Sequence, residues 1–278
     1  MGEMIKVAAL LATLVALIAN PVAAKPARLT EGARYVAMGS SFAAGPGVGP
    51  NTPGTPTRCG RGVFNYPNLL AAKLKLELVD ATCSGATTEH VLGPWDELAP
   101  QIESVDAGTR LVTVTIGGND VSFVGNIFAA ICEEAASTDA RCQGTRTVAE
   151  TVWQADESRM RTIVREVRRR APDARIVLVD YITVLPPKGK CAAVPISAQR
   201  MAQSRATAAR LATLTARVAH EEGAELLKFS EISRRHAPCS PEPWSNGLTA
   251  PPGDGIPVHP NKIGHEAAAD ALARLLRR

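Results

Sequence analysis

The chain has 278 residues, 45 % of them hydrophobic and 21 % charged, the balance of a globular protein rather than a disordered or fibrous one. Its net charge is +4, with no basic stripe interleaved with aromatics, which argues against a nucleic-acid partner. Only one long apolar run is present, which excludes a polytopic membrane protein, and aromatics at 4 % leave the core to aliphatic residues.

That run lies at the start of the chain. Lys6 precedes apolar residues from Val7 to Ala19, and the segment closes on Val22-Ala23-Ala24. A charged start, a short apolar stretch and small residues before the cut read as a secretory signal peptide over residues 1–24. The stretch falls short of the roughly 20 residues that a spanning helix needs, so an uncleaved anchor is the weaker reading. Residues 25–278 are read as one domain, since no linker or composition break interrupts them.

Strand and helix patterns then alternate. Apolar runs at Arg34 to Met38, Leu76 to Asp80, Leu111 to Ile116, Arg175 to Asp180 and Ala224 to Phe229 predict strands, and continuous apolarity suits burial on both faces of a parallel sheet. Helical spacing covers Tyr66 to Leu76, Val148 to Arg170, Ser197 to Glu222 with Gly223 as its cap, and Pro260 to Leu276. The alternation predicts a doubly wound α/β sheet. The basic stretch Arg159 to Arg170 alternates with Glu157 and Glu166 and reads as a solvated helix face. Two aperiodic segments, Gly45 to Gly62 and Pro238 to Pro257, are rich in Gly and Pro and read as long functional loops.

Six cysteines, Cys59, Cys83, Cys132, Cys142, Cys191 and Cys239, imply disulfides in an exported chain. No C-x-x-C pair points to zinc or a redox motif. Sequential pairing closes the shortest loops.

Ligands of an open parallel sheet bind beyond the carboxyl ends of its strands. The first strand runs into Gly39-Ser40-Ser41, a place where a serine hydroxyl can face solvent or merely cap a helix. The strand from Leu111 runs into Gly117-Gly118-Asn119-Asp120, where Asn119 can aim an amide into the same crevice or form a turn. Between them, Cys83-Ser84-Gly85 can offer an unobstructed N–H at Gly85. His259 sits in Asp254-Gly255-Ile256-Pro257-Val258-His259-Pro260, held by prolines just before the last helix. His90, His220, His236 and His265 have less suggestive settings.

These four stretches, in this order, resemble the SGNH hydrolases, also called the GDSL esterase/lipase family. Ser41 matches the nucleophile of the family's G-D-S-x-x-x-G block, Gly85 the glycine of the second block, Asn119 the G-x-N-D block and His259 the final histidine. The resemblance spans about residues 34 to 272 and is strongest to secreted actinobacterial esterases and lipases with three disulfides. It implies a flavodoxin-like three-layer α/β/α domain with about five parallel strands and the pairs Cys59–Cys83, Cys132–Cys142 and Cys191–Cys239. It further implies an oxyanion hole of Ser41, Gly85 and Asn119, a monomer, and no metal or cofactor.

Two departures stand out. Ser40 replaces the usual Asp beside the nucleophile, and Ile256 occupies the place, three residues before the histidine, where the family has its acid. The imidazole is therefore expected to lean on the Ile256 main-chain carbonyl or, failing that, on the Asp254 carboxylate. The resemblance implies a secreted serine esterase or lipase that cleaves acyl esters through an acyl-enzyme. The alternatives are a carbohydrate O-acetylesterase, a phospholipase, or a secreted binding protein without catalysis. Gly45 to Gly62 is expected to border the substrate pocket, with Phe42 and Phe123 as apolar walls.

Overall fold

A computed structural model describes residues 29–139 and 142–277; the signal predicted at residues 1–24 lies outside them. Five strands form one sheet: β1 (Arg34–Gly39), β2 (Glu77–Asp80), β3 (Thr109–Thr115), β4 (Arg175–Val179) and β5 (Glu225–Leu227), in the order β2-β1-β3-β4-β5. Every pairing is parallel, with Val36 opposite Val79 on one side and Val112 on the other. Beyond Arg34, each residue of β1 is buried, as is each residue of β4, so both sheet faces are covered and the strands read as unbroken apolar runs.

The helices are α1 (Ser41–Ala44), α2 (Tyr66–Leu74), α3 (Thr88–Leu92), α4 (Phe123–Glu134), α5 (Glu150–Arg170), α6 (Ala198–Glu221), α7 (Phe229–Ile232) and α8 (Lys262–Leu276). Right-handed crossovers put α2, between β1 and β2, on one face, where it packs against α8. The connections that step the other way put α3, α5 and α6 on the opposite face, where they pack on one another. The three-layer architecture expected from the sequence is present.

Local chemistry sets the helix ends. Asn65 caps α2 by accepting from the Asn68 N–H, with Pro67 following in the first turn. The final helix starts at Lys262 rather than at Pro260, because the Asn261 side chain accepts the Gly264 N–H and takes the capping position. The basic face of α5 is paired with acids: Arg161 and Arg165 meet Glu222 on the turn after α6, and Arg217 of α6 reaches back to Glu157.

The chain leaves β1 towards β2 on one side and reaches β3 on the other, so a crevice opens at the carboxyl ends of β1 and β3. Three bridges, Cys59–Cys83, Cys132–Cys142 and Cys191–Cys239, match the pairs that the family resemblance implies. The two Gly/Pro-rich loops zip together. Val48 pairs with Asp254, the Gly255 N–H donates to the Gly47 carbonyl, and the Gly49 N–H donates to the Gly253 carbonyl. The Gly45 to Gly62 loop thus carries the histidine-bearing loop to the end of β1, a role beyond the pocket border expected for it.

Candidate active site

β1 ends at Gly39, whose φ of +134° lies outside the range of most side chains, and a Cβ there would collide with the Thr115 carbonyl of β3. Glycine lets β1 press on β3 and turn sharply into Ser40 and Ser41. Gln101 clamps this turn: its Oε1 accepts the Gly39 N–H at 2.7 Å and its Nε2 donates to the Gly39 carbonyl at 3.0 Å. The Ser40 N–H donates to Thr115 O at 3.0 Å. Ser41 is then the first residue of α1, a single turn closed by Gly45 in the left-handed region.

His259 reaches the same point from the far end of the chain. Its Nε2 lies 2.9 Å from Ser41 Oγ, and its Nδ1 lies 2.8 Å from the Pro257 carbonyl. A carbonyl only accepts, so Nδ1 carries the ring proton and Nε2 presents its lone pair to the serine hydroxyl. Burial pulls the imidazole down to about 4, and the Pro257 carbonyl offsets part of that shift. The loop is pinned where the Asn246 N–H donates to the His259 carbonyl and the Val258 N–H to the Gly247 carbonyl.

The acid position needs correcting. Neither the Asp254 carboxylate nor the Ile256 carbonyl holds the ring. Asp254 Oδ1 accepts the Lys262 N–H at 2.8 Å and so anchors the start of α8, while its main-chain carbonyl accepts from Asn246 Nδ2 at 2.7 Å. The Ile256 carbonyl also faces Asn246 Nδ2, at 3.4 Å. Val258 is the reason: at a φ of +56° it reverses the chain, and the carbonyl brought under Nδ1 is the one two residues back.

The remaining blocks are linked to the end of β1 and to one another by hydrogen bonds. The Cys83 N–H donates to the Gly39 carbonyl and the Ser84 N–H to the Cys59 carbonyl, which sets Gly85, at a φ of +84°, beside the serine turn. Asn119 Nδ2 donates to the Ala86 carbonyl at 2.8 Å, joining the third block to the second. Asp120 accepts from the Thr88 N–H and hydroxyl and holds the start of α3. Phe42 is buried, and its ring makes tilted contacts with Tyr181 at 4.7 Å and His259 at 4.8 Å. Phe123 lines a groove of about 290 Å3 with Tyr181, Ile182, Leu185, Arg205 and Arg234, a groove that none of Ser41, Gly85, Asn119 and His259 lines.

Three of the other four histidines have structural work, and His220 is exposed on α6. His90 Nδ1 accepts the Thr87 N–H and its ring stacks on Trp95, His236 stacks on Trp244, and buried His265 accepts the Tyr66 N–H. Sequence reading missed Gln101, Asn246 and Tyr181. Gln101 and Tyr181 act on main-chain groups 62 and 63 residues away, which no local spacing displays, and Asn246 acts on the Asp254 carbonyl across an aperiodic loop.

Comparison with known proteins places the site in a family setting. The model of the GDSL-like lipase/acylhydrolase family matches residues 37–267. Lipase 2 of Streptomyces coelicolor is 31 % identical over 262 residues, covering 89 % of this chain and 87 % of its own length. The crystal structure of an extracellular lipase from Streptomyces rimosus superposes with a TM-score of 0.71 at 26 % identity, covering 87 % of this chain and 98 % of that one. A phospholipase A1 from Streptomyces albidoflavus shares the fold, with a TM-score of 0.71 at 24 % identity over 89 % of this chain and all (100 %) of that one.

Proposed function

Since this chain belongs to the GDSL-like lipase/acylhydrolase family and is a carboxylic ester hydrolase of that family, we propose that it is a secreted enzyme that cleaves acyl esters through a Ser41 acyl-enzyme with a Ser–His pair. One observation carries the reading: His259 Nε2 sits 2.9 Å from Ser41 Oγ while Nδ1 is tied to a main-chain oxygen, which fixes the tautomer that a general base needs.

In this mechanism Ser41 Oγ attacks the ester carbonyl and passes its proton to His259 Nε2. The imidazolium leans on the Pro257 carbonyl, then returns the proton to the departing alcohol, and water repeats the sequence on the acyl-serine. The tetrahedral oxyanion is met by three donors. The Ser41 N–H opens α1, where no carbonyl four residues back in the helix can take it. The Gly85 N–H follows two donors that are already used. The Asn119 amide keeps a second hydrogen beyond its bond to Ala86. Preorganised donors of this kind are worth about 3–4 kcal/mol each.

Relatives that are named lipases support an acyl chain longer than acetyl. Export rests on the apolar start of the chain and on the extracellular Streptomyces rimosus lipase. Among the described residues no helix is long and apolar enough to cross a membrane. Turnover of p-nitrophenyl esters from acetate to laurate, by a chain of residues 25–278, tests the reading. Hydrolysis should rise beyond acetate and fall on the order of 10⁶-fold in Ser41→Ala and His259→Ala. Undiminished hydrolysis by Ser41→Ala would overturn it.

A further inference from the structure

We infer that Tyr181 is a positioning residue for ester cleavage, whose phenol group ties the turn that carries Ser41 to the turn that carries Asn119. The inference rests on the Ser41–His259 reading above. Tyr181 Oη accepts the Gly118 N–H at 2.8 Å, one residue before Asn119. The same oxygen lies 3.4 Å from Ser40 Oγ, one residue before Ser41. The bond from Gly118 uses an oxygen lone pair, so the phenol proton is free to be donated to Ser40. Beneath the hydroxyl, the Tyr181 ring packs on Phe42, and Phe42 in turn packs on the His259 imidazole. One buried side chain thus touches neighbours of Ser41, Asn119 and His259.

The surroundings give it little freedom. A Cβ on Gly118 would stand 2.6 Å from Tyr181 Oη, so glycine there leaves the phenol its place. Tyr181 directly follows Asp180, whose carboxylate accepts the Ser230 N–H at 2.7 Å and the Ser230 hydroxyl at 2.6 Å. Two residues on, the Thr183 N–H donates to Ser233 Oγ at 2.9 Å. The exit of β4 is therefore fastened to α7, and Phe123 meets the Tyr181 ring edge-on at 5.9 Å. A rigid phenol between two turns holds the nucleophile and the Asn119 amide at a constant separation, which is what a preorganised oxyanion site requires.

Ser40 sharpens the argument. A carboxylate at this position would extend one atom beyond the serine hydroxyl and close the 3.4 Å gap to the phenol. The tyrosine would then supply the donor that a buried carboxylate needs.

Tyr181→Phe, Ser40→Asp and the double variant test this, with kcat and KM for p-nitrophenyl butyrate and the rate of phosphonate labelling at Ser41. Tyr181→Phe should lower kcat about 10- to 100-fold with KM within threefold, and slow labelling in parallel. Ser40→Asp alone should keep kcat within threefold. The double variant should fall at least tenfold below Tyr181→Phe, because its carboxylate loses its donor. A merely structural role would lower the melting temperature of Tyr181→Phe and leave kcat and labelling rate within twofold; that result overturns the inference. So does a double variant whose loss is the product of the single losses. Should Tyr181→Phe not fold, Ser40→Asp decides alone, and a loss of a hundredfold or more there refutes the pairing. Wild-type enzyme that turns over without label at Ser41 refutes the serine reading itself, and this inference with it.

Discussion

The imidazole of His259 leans on the Pro257 main-chain oxygen, and no side-chain substitution deletes that group. Asp254→Asn should therefore cost at most about tenfold in kcat/KM, whereas the same change in an acid-dependent triad costs about 10⁴. Asp254→Ala should lower stability by about 1 kcal/mol, because it frees the Lys262 N–H at the start of α8. Kinetics and thermal melts check both expectations. The pH profile gives a second test. Burial holds the imidazole at about 4, and only its neutral form can take the serine proton, so kcat/KM should persist below pH 6 and fall away around pH 4. A limb near pH 6–7, the ordinary imidazole range, would contradict this expectation. Ser41 and His259 were legible in sequence because each stands in a block of distinctive neighbours at a strand end or before a helix. The atom that orients the ring was not, since it depends on the reversed backbone of Val258, a residue whose type gives no hint of a φ of +56°.

At the scale of elements, α2, α5, α6 and α8 follow from helical apolar spacing and the five strands from continuous apolar runs, while α3 and α4 show neither signal. α3 is five residues long and is opened by Thr87 with His90 in the place where a capping box usually has Glu or Gln. α4 follows Ser122, which sits in the left-handed region and makes no side-chain cap bond, so its start carries no signal. α5 holds a group whose cost was equally hidden. Asp156 is fully buried, neither carboxyl oxygen has a hydrogen-bond partner among the described residues, and both lie against Gly117. Burial pushes this carboxyl up to about 8, and the nearby Asp120 charge adds to the shift. In the unfolded chain the group ionises near 4. Between those values the unfolded state binds fewer protons than the folded state, so this group's contribution to stability is lost as pH rises from about 4 to about 8, then levels off. Asp156→Asn should melt with the wild type near pH 4 and progressively above it towards pH 8. A constant difference in melting temperature across that range would contradict this assignment.

Across the whole molecule, the site is assembled from both ends of the chain by features with no local periodicity. The two Gly/Pro-rich loops read as irregular, and their irregularity is what lets them pair backbone to backbone and bring His259 to Ser41. The Cys59–Cys83 bridge lies within the same assembly, since the Cys59 carbonyl receives both the Ser84 N–H and the Ser84 hydroxyl just before Gly85. Cys132–Cys142 instead closes a loop at the end of α4. Replacing Cys59 and Cys83 by Ala should thus lower both stability, by about 2–5 kcal/mol, and kcat. Replacing Cys132 and Cys142 should lower stability while leaving kcat within about twofold. Equal loss of kcat in the two double variants would show that the bridge does not act through Gly85.

The central claim is that His259 activates Ser41 and no other serine. It is tested most directly by reacting the active enzyme with a p-nitrophenyl phosphonate and mapping the adduct by mass spectrometry. The account predicts one phosphonyl group per chain, on Ser41, formed in step with loss of esterase activity and abolished in His259→Ala. An adduct on Ser40 or any other serine, or full inactivation with Ser41 unmodified, would contradict it.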